Sequence, residues 1–134
     1  MVTVGDEVVG EIGPGFCVLI GVTQTDHPAT AAKLAEKVWH LRIFDDADGA
    51  MNISLADGPR AALVVSQFTL YGDTSSGRRP GWSAAALPEV AEPLIESFVD
   101  HLRTLGATVA TGRFRADMQV SLVNDGPVTV MLEV

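Results

Sequence analysis

The chain has 134 residues, 17 acidic against 9 basic side chains, and a formal net charge of −8. With 47% apolar and 19% charged residues it can bury one core, which excludes a disordered chain and makes a single domain the expectation. The acidic balance excludes a general nucleic-acid coat protein but leaves room for an enzyme that touches only a nucleic-acid end. No apolar run approaches the roughly 20 residues of a membrane helix. The opening Met1-Val2-Thr3-Val4-Gly5-Asp6-Glu7 has no secretory pattern, and the lone Cys17 has no internal partner. A reducing, cytoplasmic setting is therefore expected.

Residues 2–22 read as strands, broken at Gly13-Pro14-Gly15. The run Phe16-Cys17-Val18-Leu19-Ile20-Gly21-Val22 is nearly all apolar, the pattern of a strand covered on both faces. Asp26 as cap and Pro28 in the first turn predict a helix over 28–41, with Ala31, Leu34, Ala35 and Val38 on its inner face. Ile43-Phe44 reads as a short strand, and 45–59 as a loop with a possible further one. Asp46, Asp48 and Asn52 in that loop miss the spacing of a calcium loop, so no metal is expected. An apolar strand over 61–70 turns polar at its end, and a Gly/Ser/Arg/Pro loop fills 72–82. A second helix is predicted over 88–105, with Val90, Leu94, Phe98, Leu102 and Leu105 as its buried stripe and Gly106 just past its end. Strands over 108–114, 118–123 and 128–134 complete the chain. This order predicts a single α+β or mixed α/β domain, with two main helices on a mostly antiparallel and mixed sheet.

The three histidines, His27, His40 and His101, fall in or beside the predicted helices, away from every polar strand end. None has zinc spacing, and Ser66 lacks the Gly-x-Ser-x-Gly elbow of a serine hydrolase. Two segments exceed plain structure. Ser66-Gln67-Phe68-Thr69-Leu70-Tyr71 ends a buried strand in alternating polar and aromatic groups, and Asn124-Asp125-Gly126-Pro127-Val128-Thr129 packs four turn formers before a strand.

Together these hexapeptides resemble the two signature motifs of the D-aminoacyl-tRNA deacylase family, historically D-tyrosyl-tRNA deacylases. Val8-Val9-Gly10-Glu11-Ile12-Gly13-Pro14-Gly15, Leu41-Arg42-Ile43-Phe44, Met51-Asn52-Ile53-Ser54-Leu55, Gly77-Arg78-Arg79-Pro80 and Ala116-Asp117-Met118-Gln119-Val120 extend the likeness along the whole chain, in order. Members of that family usually begin with a further strand carrying a Gln-Arg pair, and this sequence starts after it. Arg115 stands where the family commonly has glycine, at the rim of an adenosine pocket, and Ser75-Ser76 stand where a basic residue is frequent.

The resemblance implies hydrolysis of the ester joining a D-amino acid, or glycine, to the 3′ end of tRNA, without cofactor or metal, in a cytoplasmic homodimer whose sites lie at the interface. It implies no membrane and no DNA partner. Ser66, Gln67, Phe68 and Thr69 become the catalytic pocket, with backbone N–H groups near Phe68 and Thr69 as oxyanion donors. The family is thought to draw on the substrate's own 2′-hydroxyl, so Thr69 positions rather than attacks. Gly126 and Pro127, flanked by Asn124 and Thr129 and joined by Met118, become the chirality element: a Gly-cis-Pro pair delivered into the partner's site. Arg78, Arg79 and Arg113 become phosphate contacts. Two other readings compete: a non-catalytic dimeric module that binds RNA ends or small ligands, and a serine hydrolase acting through Ser66.

Overall fold

The computed structural model describes residues 1–134. Its elements run β1 (Val2–Val4), β2 (Glu7–Gly10), β3 (Gly15–Ile20), α1 (Pro28–His40), β4 (Phe44–Asp45), β5 (Met51–Ile53), β6 (Ala61–Ser66), α2 (Pro88–Leu105), β7 (Thr108–Thr111) and β8 (Gln119–Val120). One-turn 3-10 helices fill Leu55–Asp57 and Phe68–Tyr71. The expected mixed domain with two helices is present, but its central sheet is parallel.

That sheet has the order β3-β6-β7, with Gly15 opposite Ala61 and Ala61 opposite Thr108. Both crossovers advance in the same direction across it, so their helices share one face, as uniform crossover handedness requires. Ala62 and Val64 of β6 point to that face and join Ala35 and Val38 of α1 and Phe98, Val99 and Leu102 of α2. Leu63 and Val65 point the other way and meet Val2 and Val9 of a second, antiparallel sheet of order β2-β1-β8, together with Met118 just before β8. β6 thus lies between two layers, which is why its sequence is apolar without alternation. Gly10 brings the layers together: a Cβ there would stand 2.1 Å from the Thr111 carbonyl oxygen.

β3 departs from expectation. Phe16, Val18 and Ile20 face the helices, but Cys17 and Leu19 are exposed, because the antiparallel layer does not reach this edge strand. The α1 cap also differs. Asp26 accepts from the Thr23 N–H at 2.9 Å within its own turn, and His27 takes the cap position with its N–H on Thr30 Oγ1. α2 spans the predicted residues and ends on Gly106 at φ +116, a backbone that suits glycine. Val90, expected in the buried stripe, is 43% exposed at its N-terminal turn.

The C-terminal third holds the largest differences. β7 stops at Thr111 and β8 covers two residues, shorter than the strands expected over 108–114 and 118–123. No strand forms over 128–134, because no ladder partner faces it within the chain. Leu132 still packs against the helical core, while Leu122, Val123, Val130 and Met131 stay exposed.

Candidate active site at the end of the central strand

Side chains carried just beyond the carboxyl end of a central parallel strand are held by the sheet yet open to solvent, the usual place for a site. β6 ends there at Ser66. The Gln67 N–H donates to the Ile20 carbonyl at 2.8 Å, tying the exit to β3. The chain then winds into the 3-10 turn Phe68–Tyr71, closed by Leu70 N–H to Gln67 O at 3.2 Å and Gly72 N–H to Thr69 O at 3.0 Å. Phe68 and Thr69 open this turn, so their N–H groups find no acceptor inside it. The Gln67 amide donates to Thr69 Oγ1 and fixes that hydroxyl. Phe68 and Thr69 are exposed, and Ser66 and Gln67 are half-buried.

No side-chain base is hydrogen-bonded to Ser66, Gln67, Phe68 or Thr69, although Asp26, His27 and Glu133 line a small cavity with Tyr71 at the far end of the turn. His40 and His101 sit on α1 and α2 against Glu36, at 3.7 and 3.4 Å, and His27 caps α1. Burial raises the Tyr71 hydroxyl pKa, and Asp26 and Glu133 add to the rise, so Tyr71 stays protonated at neutral pH. Ser66 has no side-chain hydrogen bond, and an imidazole-activated serine is absent. The arrangement can offer backbone donors and a fixed hydroxyl, and it can position a reactive ester.

A cavity of about 290 Å³ opens beside Ser66, between α2 and the end of β7. Phe114 and Ile95 supply apolar wall, while Glu92 and Glu96, one turn apart on α2, supply acceptors. Sequence reasoning passed over these residues. Their only sequence signal is the i, i+4 spacing of Glu92 and Glu96 beside the apolar stripe of α2. It also passed over Trp82, whose ring lies edge-to-face on Phe68 with centroids 5.4 Å apart.

The remaining expected residues scatter. Arg78 and Arg79 are exposed on the 72–82 loop, free of ion pairs. Arg113 lines the cavity, but its guanidinium is held by Glu7 at 3.0 Å. Met118 serves the core: its sulfur accepts the Arg113 N–H at 3.4 Å and its side chain packs with Val2, Leu63 and Val65. Asn124 links its own loop, donating to Thr129 Oγ1 at 3.2 Å and accepting from the Val128 N–H at 3.3 Å. That loop is exposed and makes no hydrogen bond to Ser66–Tyr71 of the same chain. The Gly126–Pro127 peptide is trans, which corrects the expected cis bond. The loop is closed by the Asn124 amide and by an Asp125 N–H to Val123 carbonyl bond at 3.1 Å, and Gly126 turns it at φ +131. In the calcium-like loop, Asp46 accepts from the Asp48 and Ala50 N–H groups and from Asn52, so its oxygens are engaged in closing the turn.

The family model for D-Tyr-tRNA(Tyr) deacylase matches residues 1–133. The chain belongs to this family. Its deacylase relatives include D-aminoacyl-tRNA deacylases of Symbiobacterium thermophilum, 58% identical over 98% of this chain and 87% of the relative, and of Thermus aquaticus, 58% identical with the same coverage. A third, from Idiomarina loihiensis, is 53% identical over 99% of this chain and 92% of its own. Among solved structures, the c-Myc DNA Unwinding Element Binding Protein superposes with a TM-score of 0.93 at 38% identity, covering 99% of this chain and 91% of that one. A probable eukaryotic D-amino acid tRNA deacylase shares the fold at 14% identity, with a TM-score of 0.73. Membership makes the chain an ester hydrolase of the deacylase type.

Proposed function

We propose that the chain hydrolyses the ester joining a D-amino acid, or glycine, to the 3′ end of tRNA, and that a second copy completes each site. The observation that carries this reading is the Ser66–Tyr71 turn, which presents unpaired N–H groups beside a Thr69 hydroxyl that is fixed by Gln67 and hydrogen-bonded to no base. An aminoacyl ester is already reactive, so donors placed where its oxyanion develops, and a water held in line, supply most of what the reaction needs. The substrate's 2′-hydroxyl is the acid–base partner beside Thr69. The cavity beside Ser66 is the seat for the terminal nucleoside, with Phe114 for the base and Glu92 or Glu96 for a sugar hydroxyl. Arg78 and Arg79 meet phosphates; Arg113, engaged by Glu7, acts instead at the cavity rim.

Two features support a second copy. Leu122, Val123, Val130 and Met131 form an apolar stretch with no cover inside the chain, and the adjacent segment lacks a ladder partner. In this reading Gly126 and Pro127 of one protomer wall the other's site. Gly126 has no Cβ and permits a backbone wall too close for a side chain, so an L substituent collides where hydrogen fits. The cis isomer forms no part of this account.

The test is deacylation of D-tyrosyl-, glycyl- and L-tyrosyl-tRNA. Rapid loss of the first two with negligible loss of the third is expected, and equal rates for the D and L esters overturn the chirality element. A binding module without catalysis is the second reading, favoured by the structural neighbour named as a DNA unwinding element binding protein. Capture of uncharged tRNA with all three esters intact would establish it.

A further inference from the structure

The segment 82–86 is fastened unusually well for a surface stretch. Thr23 Oγ1 donates to the Ala84 carbonyl at 2.6 Å, the Gln24 amide reaches the Ser83 carbonyl at 2.5 Å, and the Ala86 N–H meets the Val22 carbonyl at 2.8 Å. Reciprocal bonds between Asp73 and Gly81, both 2.8 Å, close the loop just before it. These anchors hold Trp82 in place, and Gly72 makes room for it: a Cβ at 72 would lie 2.5 Å from the indole. The ring nevertheless stays 40% exposed, and Phe68, against which it stands at 70°, is 58% exposed. A rigid corner of two open aromatic faces therefore borders the reaction turn, and the two unpaired arginines Arg78 and Arg79 ride the tip of the same loop. On a chain of net charge −8, apolar ring faces beside a local cationic tip fit one class of partner best. An unpaired base stacks on an aromatic face while its phosphate meets arginine.

We infer that Trp82 is the stacking platform for the base of the nucleotide preceding the acylated one, with Arg78 and Arg79 holding the phosphates on either side. This rests on the deacylase reading and extends it: the enzyme then recognises a single-stranded 3′ overhang and not the terminal nucleoside alone. Sequence specificity is not required, since every base has a face to stack.

The experiment compares two substrates, D-tyrosyl-tRNA and D-tyrosyl-adenosine, which lacks all upstream nucleotides. Trp82→Ala is expected to lower kcat/KM on the tRNA by about 5- to 150-fold more than on the adenosine ester, through KM, and Trp82→Phe to restore most of the difference. Equal losses on both substrates, or no loss on either, overturn the platform and leave Trp82 a mere support for Phe68. A second readout does not depend on catalysis. In a Trp39→Phe background, Trp82 fluorescence should be quenched by an uncharged RNA with a single-stranded 3′ end and not by a blunt duplex. Emission that ignores RNA but shifts with protein concentration would assign the corner to contact between copies and overturn the inference. If the unmodified chain cleaves neither ester, the deacylase reading fails, and the quenching decides the platform by itself.

Discussion

Thr69 has the outward marks of a nucleophile, an exposed hydroxyl in the Phe68–Tyr71 turn, yet its oxygen accepts from the Gln67 amide and it donates to no base. Thr69→Ala should therefore slow deacylation about two- to tenfold, the worth of one neutral hydrogen bond, and leave turnover measurable. Ser66→Ala should act on nucleoside binding through the cavity wall. An acyl-enzyme on Thr69 or Ser66, trapped and seen by mass spectrometry, would reverse these roles. A different residue governs acid stability. Asp57 accepts from both the N–H and the hydroxyl of buried Ser54, and these bonds, with the Arg42 and His40 charges, hold its pKa below the ordinary 3.8. Asp46 and Asp73 are lowered in the same way by turn N–H donors and by the Asn52 and Ser75 side chains. Because the folded values are depressed, the stability they contribute is present above pH 3.8 and is lost as pH falls through the folded values. Thermal melts in acid should show this decline, and Asp57→Asn should flatten part of it. An unchanged slope in that variant would exclude Asp57 as a source.

At the scale of elements, α2 is the clearest product of its sequence. Leu94, Phe98 and Leu102 recur at helical spacing, Pro88 opens the helix, and Gly106 closes it at positive φ. Phe98 has no exposed surface, so Phe98→Ala should cost about 3–5 kcal/mol in chemical denaturation. Gly106→Ala should cost about 1–2 kcal/mol for its backbone alone. Strands were less legible because their coverings are not local. The run at 16–22 is as apolar as β6, but only β6 has a layer on each side; the sequence of β3 does not disclose that the antiparallel sheet stops short of Cys17 and Leu19. The role assigned to the Phe68–Tyr71 turn rests on resemblance. Trp82 was not legible, because its place is set by a glycine ten residues earlier and by hydrogen bonds to Thr23 and Gln24.

For the whole molecule, the exposed apolar stretch near the C-terminus predicts assembly. Val123 and Met131 are 89% and 82% exposed. Replacing both by Asp should give a monomer in sedimentation with deacylation lost, and a fully active monomer would remove the shared-site reading. The central parallel sheet has a kinetic consequence as well. Each of its pairings joins segments separated by a whole helix, and β6 must find β3 behind it and β7 ahead of it. Such contacts form slowly, since loop closure precedes their reward. The turn proposed to face substrate hangs from the end of the strand that needs both neighbours, so catalytic competence should emerge late in refolding, after helical signal has returned. A nascent chain still short of Thr111 would lack the second neighbour of β6 and should not yet cleave an ester. In the finished protein that same strand, bonded on both edges, should release its amide protons to deuterium last, long after the 72–82 loop has exchanged.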